Sequence, residues 1–392
     1  MAGGSTDDAD NGSTDVAFPD GGVRAFGGID VFCRVVDNFG DIGVCWRLAR
    51  QLRALMGSGD VRLWVDDLAT FRRIQPNVDT HAAGQTIAGV EIVRWADPAP
   101  DLAPRGVAVE AFACCPPDRF IERLRQRRYL WINLEYLSAE TWVERCHARP
   151  SMQPNGMVKT FFFPGFTPAT GGLPREGALL ARRDRWLADP AARWSLLRGA
   201  GLPPGAIQSL RTGALQVFLF CYRHAPAQAL IDALDGLGQA AIVIMPDGVM
   251  PGLRATGRVQ LCTIPFVTQD AFDRLLWSSD LNVVRGEDSL VRATWAGKPL
   301  IWHIYPQSGQ THRNKLAAWL RLANLPASAA DAILAWNAGD VPLLRNRLDQ
   351  LLRQPLRARW HTACRQRADA LGRLPDLATT LLAFCATQWR SR

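Results

Sequence analysis

The stretch Asp280-Leu-Asn-Val-Val-Arg285-Gly286-Glu287-Asp288-Ser289, continuing through Trp295-Ala-Gly297-Lys298-Pro299-Leu-Ile-Trp-His303 to Gln310-Thr-His312-Arg313-Asn314-Lys315, decides the fold. It reads as a short apolar strand, a glycine turn, an acidic helix start, a Gly-Lys-Pro stop and a second apolar strand. That is one βαβ unit, with the helix N-terminus opening at the carboxyl edge of a parallel sheet. Such an N-terminus carries unpaired N–H groups and the positive end of the helix dipole, and Arg285 adds a planar fork of donors. The combination suits a phosphate or diphosphate. Glu287 would be repelled by that anion, so it is expected to accept hydrogen bonds from a hydroxyl-rich group joined to it, such as a sugar. Capping of the helix by Asp288 and Ser289 is the plainer alternative reading of the same residues.

Outward from this unit, strands alternate with helices along most of the 392 residues, which indicates doubly wound parallel sheets. Strands are predicted at Ile29 to Val36, Val61 to Val65, Val90 to Trp95, Val107 to Ala113 and Tyr129 to Leu134. The pattern restarts at Leu215 to Tyr222, with strands at Ala240 to Met245 and Val259 to Ile264 and helices at Ala225 to Leu237 and Gln269 to Ser278. Between the two halves, Pro150 to Gly213 is rich in Pro, Gly and Arg and reads as a crossover. The expected organisation is an acidic extension without a fold over 1–26, a first Rossmann-like domain over 27–175 that binds the acceptor, and a crossover over 176–213. A second Rossmann-like domain over 214–370 binds a nucleotide, and a last helix over 371–392 packs back on the first domain. The chain is α/β, with two domains facing each other across a cleft.

Composition narrows the function. A net charge of +8 favours acidic partners, but the arginines are spread over helices rather than clustered, so nucleic-acid binding is not expected. No apolar run approaches the ~20 residues that cross a bilayer. No basic-then-apolar leader opens the chain, so no secretory signal is expected. Nine cysteines without CxxC spacing suggest reduced thiols in a cytoplasmic protein, with the one close pair, Cys114-Cys115, read as core packing. Asp8-Ala-Asp10 matches the Asp-x-Asp of metal-dependent transferases but falls in the five-aspartate extension, where the match is coincidence.

A second loop carries chemistry. Asp37-Asn-Phe-Gly40-Asp41-Ile-Gly43 follows the first strand, where α/β sheets place their ligands. Its Gly-x-x-Gly spacing and its carboxylates fit a dinucleotide fingerprint poorly. Two carboxylates on an open loop suit a cation or the role of a base, and an Asx turn with a helix cap is the alternative.

With Trp131-Ile-Asn133-Leu-Glu135-Tyr136-Leu-Ser-Ala-Glu140, Phe162-Phe-Pro-Gly-Phe-Thr167, Thr170-Gly-Gly-Leu173 and Arg285-Gly-Glu-Asp-Ser289, this loop resembles the protein-arginine rhamnosyltransferases that mature bacterial elongation factor P, the EarP family. The similarity runs from about Ile29 to the C-terminus. It implies a GT-B-type inverting enzyme that moves L-rhamnose from dTDP-β-L-rhamnose to an arginine of elongation factor P, activating that factor for relief of polyproline stalling. It further implies Asp41 as the catalytic carboxylate, with Asp37 and Glu287 in the catalytic set and Asp37 and Asp41 gripping the acceptor arginine. Arg285, Glu287, Asp288 and Ser289 fall on the donor motif, Tyr222 and Gln269 on phosphate and sugar contacts, and Phe220, Phe266 and Phe272 near the thymine. The expected enzyme is a monomer with no metal or other cofactor. Asn133, Glu135, Tyr136 and Glu140 are candidates to support the acceptor side, and His303, His312 and Lys315 are left without a role. A GT-B enzyme with another acceptor, and a non-enzymatic binder of an acidic translation factor, are the alternatives.

Overall fold

The structure, a computed structural model, describes residues 26–36, 39–57, 59–307, 309 and 311–391. The acidic extension up to residue 25, with its Asp8-Ala-Asp10, and also Asp37 and Gln310, lie outside the described residues.

Runs of β-branched and other apolar residues with no polar alternation form the central strands, buried on both faces, while short polar strands lie at the edges. β1 (Gly28–Cys33), β2 (Asp60–Val65), β3 (Gly84–Ile87), β4 (Val90–Arg94), β5 (Val107–Ala111), β6 (Leu130–Leu134), β7 (Pro150–Met152) and β8 (Val158–Phe162) build the first sheet, in the order β3-β4-β2-β1-β5-β6-β8-β7. Val31 of β1 pairs with Leu63 on one side and Val109 on the other, both in parallel, and only the edge strands β3 and β7 run antiparallel. The helices of this half are α1 (Phe39–Met56), α2 (Leu68–Ile74), α3 (Asp118–Arg125) and α4 (Trp142–Cys146).

Helices α5 (Leu179–Leu187), α6 (Pro190–Gly199) and α7 (Pro204–Arg211) lead to β9 (Leu215–Leu219), α8 (Ala227–Asp235), β10 (Ala241–Pro246), β11 (Val259–Ile264), α9 (Gln269–Ser278), β12 (Leu281–Arg285), α10 (Glu287–Ala296) and β13 (Leu300–His303). The second sheet is fully parallel, in the order β11-β10-β9-β12-β13. In each sheet the strand order reverses direction beside the first strand of that half, between β1 and β5 and between β9 and β12. Open α/β sheets bind ligands at those crevices. The chain ends in α11 (Thr311–Ala323), α12 (Ala327–Ala338), α13 (Val341–Leu351), α14 (Leu356–Gly372) and α15 (Leu377–Arg390).

The segment expected as a plain crossover departs from that reading in two ways. Pro150 to Phe162 is a hairpin that adds β7 and β8 to the first sheet, turning at Gly156 with φ 77°. Three further helices follow, and Leu179, Leu197, Ile207 and Leu210 lie in the core of the second sheet. Of the cysteine pair, Cys114 is buried as expected, whereas Cys115 is exposed. The last helix crosses over, because Leu377, Leu381, Leu382, Cys385 and Trp389 enter the core that β1, α1 and β5 share. Asp376 caps it by accepting from Thr379 N at 3.0 Å.

Candidate active site

The second sheet contributes one wall. Gly286 links β12 to α10 at φ 67°, a left-handed conformation that suits glycine, and leaves the first amides of α10 at the mouth of the crevice. Arg285, the last residue of β12, stands over the rings of Phe220 and Tyr222 at 4.5 and 5.0 Å and donates to Cys221 O at 3.4 Å. Phe220 packs edge-on against Phe272 at 5.9 Å and Phe266 at 6.4 Å. Phe39 of α1 reaches across to Phe266 at 4.9 Å, and the Arg73 guanidinium covers Phe266 at 4.3 Å. Phe39, Phe220, Tyr222, Phe266, Phe272 and Arg285, with Gln269, Glu287, Asp288 and Ser289, line a solvent-open cavity of about 710 Å³. It has an aromatic end and a cationic end.

Tyr222 is held by its surroundings. Its backbone N–H donates to His303 Nδ1 at 3.2 Å, so the neutral His303 carries its proton on Nε2 and donates to His224 Nε2 at 3.1 Å. Burial, with His224 and Arg285 nearby, pushes the His303 imidazole down to about 3.

The first sheet contributes the other wall. Asp41 was expected on an open loop, but α1 already begins at Phe39, so Asp41 sits buried in the first helical turn. The reason is local: its Oδ2 accepts from Val36 N at 2.8 Å, turning the preceding chain back onto the helix start. Asp41 lines a second cavity of about 800 Å³ together with Phe112, Tyr136, Tyr305 and Lys315. Phe112 and Tyr136 stack at 4.5 Å with ring planes 17° apart. Of the four candidates at and beyond the end of β6, Tyr136 lines this cavity. Asn133 donates to Glu135 at 2.5 Å and Glu140 closes a turn with Ser138 at 3.1 Å, so those three shape the loop. Burial pushes the Glu135 carboxyl up.

The two cavities share Gly40, Gly286 and Glu287. They meet where the N-terminus of α1 faces that of α10. Contact is close there because Gly43 has no side chain: a Cβ would lie 3.3 Å from Asp288 Oδ2. Gln269 Nε2 donates to Gly43 O at 3.0 Å and its Oε1 accepts from Arg50 at 3.2 Å, so in this state Gln269 ties α9 to α1.

Both helix-start carboxylates carry cations. Asp288 Oδ1 accepts from Arg47 Nε at 3.1 Å, and Arg47 also reaches Asp273 at 3.2 Å and Glu176 at 3.3 Å. Glu287 Oε2 accepts from Leu137 N at 2.7 Å, while Oε1 pairs with Lys315. Glu287 therefore bridges the two halves of the molecule, a contact that the sugar-binding expectation did not include. His312 bonds Gln307 at 3.2 Å, and it lines neither cavity. Among the described residues no group of His, Cys, Asp and Glu could hold a metal ion.

Arg47, Phe39 and Phe112 were missed. Arg47 left one signal, an arginine that interrupts the apolar run from Ile42 to Ala49, where a buried cation needs partners.

The sequence profile described as Elongation-Factor P (EF-P) rhamnosyltransferase EarP matches residues 29–386. A protein-arginine rhamnosyltransferase of Pseudomonas putida is 45% identical over 379 residues, covering 91% of this chain and 97% of that protein. A solved structure described as the structural basis for EarP-mediated arginine glycosylation of translation elongation factor EF-P aligns with a TM-score of 0.59 at 34% identity, over 91% of this chain and 97% of the other. Glycosyltransferase VinC, crystallised with dTDP, shares the fold at a TM-score of 0.50 and 11% identity, over 92% and 99% of the two chains.

Proposed function

This chain belongs to the elongation factor P rhamnosyltransferase family EarP, and from that premise we propose that it transfers L-rhamnose from dTDP-β-L-rhamnose to an arginine side chain of elongation factor P with inversion at the anomeric carbon. The fold is that of a GT-B glycosyltransferase, two parallel-sheet domains facing across a cleft. The observation that carries the proposal is the pair of adjoining cavities, one with a buried carboxylate and one with a cationic, aromatic-lined helix N-terminus.

In this reading the thymine lies among Phe220, Phe266 and Phe272, and the diphosphate meets Arg285, the α10 amides and Ser289. Tyr222, Gln269 and Glu287 face the phosphates and sugar. Guanidinium keeps its proton to above pH ~12, so a carboxylate of ordinary pKa about 4 cannot deprotonate it beforehand. Asp41, with Asp37, instead grips the guanidinium through paired hydrogen bonds and takes one proton as the bond forms. The guanidinium nitrogen attacks C1 from the face opposite the diphosphate. The C–N bond forms while the bond from C1 to the diphosphate oxygen breaks, and dTDP leaves with the electron pair. The developing charge is met by Arg285 and the helix amides. Nine free thiols support a reducing, cytoplasmic setting.

The test is proton NMR of the glycosylated factor together with the rate of dTDP release. The β-configured donor should give an α-linked product, and Asp41→Asn should lower turnover at least ~10²-fold. A β-linked product, or near wild-type turnover in the variant, contradicts the mechanism.

A further inference from the structure

The helix start that faces the cavity lined by Phe220, Phe266 and Phe272 presents two carboxylates, Glu287 and Asp288, in its first turn. Acidic residues there stabilise a helix. The same charges repel a diphosphate seeking the same amides, a conflict that the assigned donor site must resolve.

The structure resolves it with one cation for each acid, each brought from another element. Lys315 of α11 lies on Glu287 Oε1, with the two side chains only 15% and 20% exposed. Arg47 of α1 lies on Asp288 within a buried cluster in which Arg292 holds Asp273 at 2.5 Å and Glu176 at 2.9 Å, and Arg50 approaches Glu176 at 3.9 Å. Three arginines thus face three carboxylates, Glu176, Asp273 and Asp288, and Asp288 brings no net negative charge to the cavity. Arg285 differs from these cations. It is held by aromatic faces and a carbonyl, and no carboxylate pairs with it among the described residues, so its charge is available to the anion.

We infer that Lys315 and Arg47 are positioning residues whose task is to neutralise Glu287 and Asp288, so that the α10 N-terminus can accept a nucleoside diphosphate. The inference rests on the donor reading given above. Lys315 offers the cleaner test, because its ion pair has one carboxylate, whereas loss of Arg47 also strands Asp273 and Glu176.

The experiment is calorimetric titration of dTDP and of thymidine into wild-type protein and variants of Lys315. Lys315→Met should weaken dTDP about 10-fold, the effect of one uncompensated charge near the phosphates, and leave thymidine unchanged. Lys315→Arg should bind dTDP as wild type does. The double variant Glu287→Gln/Lys315→Met, which removes both charges, should return dTDP affinity to within about 3-fold of wild type. Should the Met variant fold poorly, Lys315→Gln alone and with Glu287→Gln gives the same comparison. A double variant as weak as the single one means that Lys315 touches the phosphate itself and overturns the inference, as does equal weakening of dTDP and thymidine. Wild-type protein that binds no dTDP contradicts the donor assignment instead.

Discussion

His303 is 2% exposed, its Nδ1 is committed to Tyr222 N, and burial holds its folded pKa near 3. In the unfolded chain the imidazole titrates near its ordinary ~6.5. The unfolded state therefore binds the extra proton first as the pH falls, and the stability contributed by neutral His303 is complete above about 6.5 and lost progressively toward 3. Urea unfolding at pH 7.5 and 5.5 should find wild type losing roughly 1.4 kcal/mol more across that interval than His303→Asn. Equal losses in the two proteins would mean that His303 is protonated in the fold. At this scale the sequence made the polar residues after strands legible, because Arg285, Tyr222 and Asp41 stand out against apolar runs. The compensating cations were harder to read. Arg47 and Lys315 lie 241 and 28 residues from the carboxylates they neutralise, and neither spacing is a local pattern.

Helices and strands with strong periodicity were read closely, and α9 was placed at its observed Gln269–Ser278. The weak point was Pro150 to Phe162, where the three-residue strand β7 lies on a sheet edge and gains most of its definition from pairing with β8. Asn155-Gly156 was the available hairpin signal. α1 begins inside the stretch expected as an open loop, because Phe39 and Gly40 resemble loop residues, while their helical geometry depends on the reach of Asp41 back to Val36. α15 has the largest consequence for its size. It puts Leu377, Leu381, Leu382 and Trp389 into the first-domain core, and burying four such side chains is worth about 6–12 kcal/mol, comparable with the whole stability of a domain. A chain ending at Leu374 should therefore lose the cooperative thermal transition of the first domain, or come out aggregated. An unchanged melting curve would show that α15 is only an appendage.

Across the whole molecule, two sheets turn their crevices toward each other, and the contact between α1 and α10 joins the carboxylate wall to the anion wall. No helix among the described residues is long and apolar enough to cross a membrane. The two-domain architecture was legible because the βαβ pattern restarts after the crossover. The closeness of the domains was not legible, since it depends on the missing Cβ of Gly43 and on ion pairs between distant segments. The central claim is that this assembly joins a deoxyhexose to one arginine of a protein. It is tested most directly by the intact mass of elongation factor P after incubation with the chain and dTDP-β-L-rhamnose. The account predicts a gain of one deoxyhexosyl unit on the wild-type factor and none when its target arginine is replaced by lysine, whose ammonium lacks the planar fork that a carboxylate can grip. An unchanged mass for the wild-type factor, or an equal gain on the lysine variant, would contradict it.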